Sequence, residues 1–394
     1  MRILHLNHHG SHVGGVEGYI ADVSIALQKA GHRSQLVCFV PNDVGDSISD
    51  TTYAPLSEWP APPAQAIQVL GRVLAEFHPG VAYIHAVHHP TLIKWLTQRL
   101  PTVAYVHGPY PVCPGSAQYL RNRSRVCPHV AGLICLVNAQ IERCCWGRNP
   151  LIHLRLLART RAFVKAYQQV KVILVGSSYM QQLLQRDGMP SDRISILPPI
   201  LIREPLPPVT FSEDSKTILF AGRLTPEKGL RHLIEALASI ETNWRLVVAG
   251  DGEEREPCQS LARELGVSEK VRLVGWLNNS EMAANLQACA CVAIPSLWPE
   301  PFGRIGAEAF IHGRPVVAFA VGGIPDWLED GVSGYLVPVG DVGGLRQSIQ
   351  SLLDSPALRL DMGKQARYKA VFSWNARAHV EQLLQAFADA QTLA

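Results

Sequence analysis

Residues 294–317 read IPSLWPEPFGRIGAEAFIHGRPVV. An apolar strand pattern gives way to a polar loop, a helix pattern and a second apolar strand. Pro299 and Pro301 keep the loop out of helix, because proline fixes φ and lacks an N–H. Gly303 lets main chain approach whatever lies there. The helix that follows aims its free N–H groups and positive dipole end at the same spot, which suits an anion. Glu300 and Glu308 stand eight positions apart across the junction, placed to grip neutral hydroxyls. An anion held at a helix start, with two acids beside it, matches a phosphorylated sugar.

Working outward, apolar runs at 217–221, 245–249, 271–274, 291–295, 315–320 and 335–337 alternate with helix patterns near 229–240, 254–265, 280–288, 303–312 and 341–353. Short, unalternating Val/Ile/Leu strands separated by helices predict a parallel sheet covered on both faces. Ligands bind beyond the strand C-termini of such sheets. Four successive strand ends carry glycines, cations or acids: AGRLTPEKG with Arg223 and Lys228, then Gly250-Asp251-Gly252, then Gly275-Trp276-Leu277, then the Glu300 loop. Pro226 suits a helix start. Two cations beside it fit a diphosphate better than a lone carboxylate.

The first half repeats the rhythm. RILHLN is followed by the glycine-bearing loop HHGSHVGGVEG and a helix from about Tyr19 to Ala30. The glycines do not fit GxGxxG, so a dinucleotide fingerprint is not supported, but Gly14 and Gly15 still allow close approach to a phosphate. Further strands at 35–40, 81–86, 102–107 and 171–177 put Asn7–Gly15, His85 and His107 on one rim. The proline-rich stretch 197–216 marks the linker, placed at 201–215.

The 394 residues, 47% hydrophobic and 18% charged, are enough for two ordinary globular domains. No apolar run approaches the ~18 residues of a spanning helix. The opening MRILHLNH reads as a strand, not a signal peptide, so a cytoplasmic protein with reduced thiols is expected. Residues 1–205 hold 19 Lys+Arg against 11 Asp+Glu, a balance of +8, while residues 206–394 balance at −5. From Arg121 to Lys165 nine cations meet one acid, Glu142. Over 155–167, Arg155, Arg159, Arg161 and Lys165 share one helical arc and Leu156, Leu157, Phe163, Val164 and Tyr167 the opposite one. Such a basic amphipathic helix suits either peripheral contact with an anionic membrane, at its inner face for a cytoplasmic protein, or the solvated face of a core helix. Cys113, Cys127, Cys135, Cys144 and Cys145 lie in the same region. They form no CxxC pair, and an inert thiol-rich loop is the default reading over a metal site.

The motifs AGRLTPEKG, GDGEE, VGWL, E-PFGRIGA-E and GGIPDWLEDGVSGYLV, with VGGVEGY near the start, resemble the retaining nucleotide-sugar glycosyltransferases of family 4 (glycosyl transferases group 1). The match is dense over 216–340 and loose over 1–110. The resemblance implies the GT-B fold, an α/β architecture of two Rossmann-like doubly wound parallel-sheet domains facing across a cleft. The domains expected are 1–200, with a Cys-rich basic insertion at about 110–170 suited to choosing the acceptor, and 216–374. Residues 375–394 would form a helix crossing back to the first domain. The resemblance further implies that Arg223 and Lys228 hold the donor diphosphate, and that Glu308 holds the ribose and Glu300 the transferred sugar. Main chain at Phe302, Gly303 and Arg304 would bind phosphate and sugar. Gly15 would meet the diphosphate, His107 the donor sugar, and backbone near Trp276–Leu277 the base, with Gly250 at a neighbouring strand end.

The implied reaction moves a sugar from a UDP- or GDP-sugar to an acceptor hydroxyl on a glycan or lipid-linked acceptor, in surface polysaccharide or glycolipid synthesis. Retention usually suggests a carboxylate nucleophile, yet the family uses Glu300 for substrate hydroxyls. Front-face substitution is therefore expected. No metal and no cofactor are expected, because fixed cations and helix N–H groups can stabilise the leaving group, and no nucleic acid. A nucleotide-sugar epimerase would need acid/base groups that these motifs lack. A non-catalytic sugar-nucleotide-binding protein would tolerate loss of Arg223, Lys228, Glu300 or Glu308, and all four are present.

Overall fold

The computed structural model describes residues 1–10, 14–40, 50–145, 147–201, 208–211 and 215–392. The expected linker therefore lies largely outside the described residues, as do residues 11–13 of the first glycine-bearing loop.

In chain order the elements begin with β1 (Arg2–His9), α1 (Gly15–Lys29), β2 (Arg33–Val40), β3 (Thr51–Tyr53), α2 (Ala64–Phe77), β4 (Val81–Ile84), α3 (Pro90–Thr97) and β5 (Thr102–Val106). A two-stranded antiparallel ladder follows, β6 (Tyr119–Leu120) and β7 (Arg125–Val126). Then come α4 (Ile134–Ile141), α5 (Pro150–Tyr167), β8 (Val172–Val175), α6 (Ser178–Arg186) and β9 (Ile194–Ile196). The second series runs β10 (Thr217–Ala221), α7 (Leu230–Ala238), β11 (Arg245–Ala249), α8 (Arg255–Glu264), β12 (Val271–Gly275), α9 (Asn279–Ala288), β13 (Cys291–Ile294), α10 (Arg304–Ile311), β14 (Val316–Phe319) and β15 (Gly334–Val337). It closes with α11 (Val342–Asp354), α12 (Pro356–Ser373) and α13 (Ala376–Thr392).

The chain divides into two compact units. One comprises Met1–Gln118, Pro128–Ile202 and Asn375–Ala394; the other comprises Tyr119–Cys127 and Arg203–Trp374. The expectation placed all of 110–170 in the first domain. Tyr119–Cys127 instead belongs with the second unit, where Arg121 pairs with Glu227 at 3.5 Å and Glu253 at 3.6 Å.

The first unit holds a seven-stranded parallel sheet in the order β3-β2-β1-β4-β5-β8-β9. Alternate strand residues face opposite sides. Leu6, Ile84 and Val106 pack with Leu70, Ile93, Phe163 and Leu184 on one face. Ile3, Tyr83 and Val103 pack with Tyr19 and Val23 of α1 and Leu383 and Phe387 of α13 on the other. The second unit's sheet is β12-β11-β10-β13-β14-β15, also parallel throughout. Both orders run outward in two directions from a central pair, β1/β4 in one and β10/β13 in the other. These are doubly wound Rossmann-like sheets, and the reversal marks a ligand crevice at the strand C-termini.

Two helices escaped the periodicity reading. Helix α4 buries only Ala139, so it carries no inward apolar stripe. Helix α12 has its buried positions at Arg359, Met362, Gly363, Ala366 and Ala370, a stripe without leucine, isoleucine, valine or an aromatic residue. Arg359 is fully buried and donates to the carbonyls of Leu352 and Leu353 at 2.7 and 3.0 Å, capping the end of α11.

Candidate active site

In the second unit, the β10 and β13 ends flank the order reversal, and the chain that leaves each carries one member of an ion pair. After β10 the chain makes a single 3₁₀ turn, Pro226–Lys228, before α7 starts at Leu230. The expected helix start at Pro226 is thus one tight turn that ends on Lys228. After β13 the loop 295–303 is bonded onto that turn. The N–H groups of Leu297 and Trp298 donate to the Glu227 carbonyl at 2.8 and 3.3 Å, and Gly323 N–H donates to the Glu300 carbonyl at 2.7 Å.

This frame brings Lys228 Nζ to 2.6 Å from Glu300 Oε1. The same oxygen accepts from Ser296 Oγ at 2.6 Å and Trp298 Nε1 at 2.9 Å, and Lys228 Nζ stands 4.9 Å from the Trp298 ring centroid. Burial would raise the Glu300 carboxyl. The Lys228 charge and the hydrogen bonds from Lys228, Ser296 and Trp298 outweigh it and hold the group below its ordinary range. Glu300 is therefore an anion with a fixed direction. Ser296 and Trp298 were not singled out from sequence; their signal was only proximity, four and two residues before the acid.

Helix α10 starts beside this pair. Gly303 caps it with φ +85°, a conformation in which glycine is at ease. Arg304 Nε lies 3.1 Å from Glu308 Oε1, so the second acid is oriented one helical turn in. The helix is seated on Trp327. That indole donates Nε1–H to the Phe302 carbonyl at 2.6 Å and packs edge-on to Phe310, and Trp374 closes the cluster. Phe302 is buried in it, which leaves its main chain to line the helix start.

Of the other second-unit expectations, Arg223 is exposed directly beyond β10. Gly250 follows β11 and donates to the Gly275 carbonyl at 2.7 Å, and Trp276 just beyond β12 is 61% exposed, with Leu277 half-buried next to it. In the first unit, Gly15 is the first residue of α1 and exposed. His107 follows β5 and leans on a row of imidazoles absent from the sequence reading as a set. His107 Nε2 lies 3.2 Å from His85 Nδ1, and His85 Nε2 lies 3.2 Å from His5 Nδ1. His5 Nε2 is buried with no partner among the described residues. An orphaned acceptor costs less than an orphaned N–H. The favoured tautomers thus have His5 donating to His85 and His85 donating to His107.

Burial holds His5 down at about 3 and His85 well below the usual imidazole value. Both are neutral when folded and take up protons on unfolding. Their contribution is complete above the unfolded imidazole value near 6.5 and is lost as pH falls towards the folded value. In a His5→Phe variant, which keeps a ring in the slot against His85, the decline in stability from pH 7 to pH 5 is expected to be shallower. The difference approaches the ~1.4 kcal/mol per pH unit of one linked proton. Parallel denaturant titrations at the two pH values measure it, and identical slopes would refute it.

Among the described residues, no group of three or more His, Cys, Asp or Glu has the arrangement to hold a metal ion. Among the same residues, no helix is long and apolar enough to cross a membrane.

Two family models match the chain: Glycosyltransferase Family 4 over residues 13–201 and Glycosyl transferases group 1 over residues 203–369. Together they span both units, and the chain belongs to this family of glycosyltransferases with the GT-B fold. It is 37% identical over 189 residues to D-inositol 3-phosphate glycosyltransferase of Corynebacterium aurimucosum, covering 45% of this chain and 44% of that one. It is 32% identical over 176 residues to the lipopolysaccharide core biosynthesis glycosyltransferase LpsE of Rhizobium meliloti, covering 44% and 50%. The matched segments thus span about half the length of these curated relatives. In structure the chain is similar to Anabaena HepE in complex with UDP and glucose, with TM-score 0.72, 18% identity and coverage of 98% and 99%.

Proposed function

We propose that the protein moves a sugar, with retention of configuration and without a metal, from a nucleoside-diphosphate sugar to an acceptor hydroxyl. The observation that carries this is the Lys228–Glu300 pair at the β10/β13 reversal, beside the start of α10. Lys228, Arg223 and the N–H groups at Gly303 and Arg304 neutralise the diphosphate, while Glu300 and Glu308 accept from sugar and ribose hydroxyls. Backbone at Trp276–Leu277 and Gly250 meets the base. In the first unit, His107 just beyond β5 and Gly15 at the start of α1 are assigned the donor-sugar and diphosphate roles that the family resemblance implies for them. In the reaction the anomeric C–O bond to the diphosphate breaks. The acceptor oxygen bonds to the same carbon on the same face, and its proton passes to the departing phosphate oxygen. The hydrogen bonds already made to Glu300 Oε1 argue against Glu300 as a nucleophile, since they blunt it and fix its direction.

UDP is the favoured carrier, because HepE is described with UDP and glucose. A surface polysaccharide or glycolipid acceptor is favoured by the similarity to LpsE, and the work is assigned to the cytoplasmic face of a membrane. Thermal-shift titration with UDP, GDP and their sugars tests the donor. UDP species should stabilise the protein, and Glu308→Ala should weaken that response roughly tenfold by removing a charged hydrogen-bond acceptor. No response to any nucleoside diphosphate would overturn the reading.

A further inference from the structure

Helix α4 is built inside out. Leu133, Ile134, Val137 and Ile141 fall within an arc of about 100° at 3.6 residues per turn, and that arc faces outward. Leu133 is 72% and Ile141 58% exposed, while α4 buries only Ala139. The first turn of α5 extends the surface with Leu151, 74% exposed, and Leu154. The two helices are tied together, for Gln140 Nε2 donates to the Arg148 carbonyl at 3.0 Å and lies 3.1 Å from His153 Nδ1. Scattered apolar side chains on a surface need no explanation, but six exposed apolar side chains on two hydrogen-bonded helices form a ridge of the kind that marks an interaction site.

Charge decides what covers it. Arg143, Arg148 and Arg155 are exposed beside the ridge. The only acid between residues 121 and 165, Glu142, is buried. A second copy docked on the same surface would set these cations against their own counterparts, and the stretch 121–165 offers no exposed carboxylate to offset them. A bilayer with anionic headgroups offers apolar depth for the ridge and negative charge for its rim.

We propose that the ridge formed by α4 and the first turn of α5 inserts into an anionic lipid bilayer, with Arg143, Arg148 and Arg155 at headgroup level. This deepens the membrane assignment above and rests on it, but not on the donor chemistry. It also differs from adhesion by the basic arc of α5 alone, because apolar side chains enter the lipid.

Flotation of the full chain with phosphatidylcholine vesicles, with and without 30% phosphatidylglycerol (~30 mol%, enough to give a negative surface potential), provides the test. Wild type should partition to the anionic vesicles at least tenfold more strongly. About half a molar salt should weaken this binding without abolishing it, since burial of apolar side chains is not screened. Leu133→Ser with Ile141→Ser should reduce partitioning by roughly tenfold or more. The melting temperature and nucleotide response should stay as in wild type, because both side chains already face solvent. A second variant, Val137→Lys, should act in the same direction. Partitioning unchanged in both variants would overturn the proposal. So would binding fully abolished by salt, absence of wild-type binding to either vesicle, or a wild-type dimer that the Ser variant dissolves. A missing nucleotide response with normal flotation would sink the donor reading and leave the ridge standing.

Discussion

Lys228→Ala is expected to lower transfer roughly 10²–10³-fold, the range seen when one fixed charge or donor aimed at a leaving group is removed. Nucleoside-diphosphate binding is expected to weaken about tenfold or more. The substitution does two separate things. It takes a cation from the proposed diphosphate site, and it strips Glu300 of the ammonium 2.6 Å away. With that charge gone, burial becomes the dominant influence on Glu300, so its carboxyl should move up instead of down. The sign of the pH effect follows. In wild type the depressed Glu300 value contributes stability above the unfolded carboxylate range and loses it as pH falls. In Lys228→Ala the raised value reverses this, and the deficit is greatest at neutral pH and shrinks on acidification. Adding Glu300→Gln should recover much of the stability and none of the activity. Calorimetric titration with UDP, turnover and denaturation at two pH values read these effects. Wild-type binding and turnover in Lys228→Ala would remove the assignment of the diphosphate site.

Gly306→Ala is expected to destabilise the second unit by about 2–3 kcal/mol, the cost of overpacking a filled site. Helix propensity alone predicts the opposite, a gain of roughly 0.8–1 kcal/mol for alanine over glycine. Packing decides the sign. A Cβ at position 306 would fall 2.0 Å from one Trp327 ring carbon and 2.6 Å from another. That indole is wedged among Phe302, Phe310 and Trp374, so α10 or the ring must move. Because Trp327 also holds the Phe302 carbonyl, movement would loosen the helix start itself. Nucleotide affinity should fall with stability. Thermal and denaturant unfolding of the variant measure the first, and UDP titration the second. A variant as stable as wild type would show that α10 is not seated on Trp327 in this way.

Much of the second unit was legible in sequence. Strands such as β10, β11 and β13 are short, continuous apolar runs bounded by glycine or proline, a pattern that needs no partner to be recognised. The elements missed share a different cause. Strand β3 has three residues and α4 has its apolar side outward, so neither carries an inward period. The buried positions of α12 are glycine, alanine, methionine and arginine, chosen by close packing and by the need to cap α11. The row His5, His85 and His107 spans about a hundred residues, and only parallel pairing of β1 with β4 and of β4 with β5 sets the three rings side by side.

The sequence by itself determined two parallel α/β sheets and which charged residues and glycines stand at their strand ends, because local periodicity, proline and glycine act within a few residues of where they stand. Tertiary structure alone decided that Lys228 meets Glu300 across 72 positions, that Tyr119–Cys127 joins the second unit, and that the apolar side of α4 is left in the open. Those outcomes depend on which strands become neighbours and which faces are covered, and a hydrophobic pattern records that a face is apolar without recording what will lie against it.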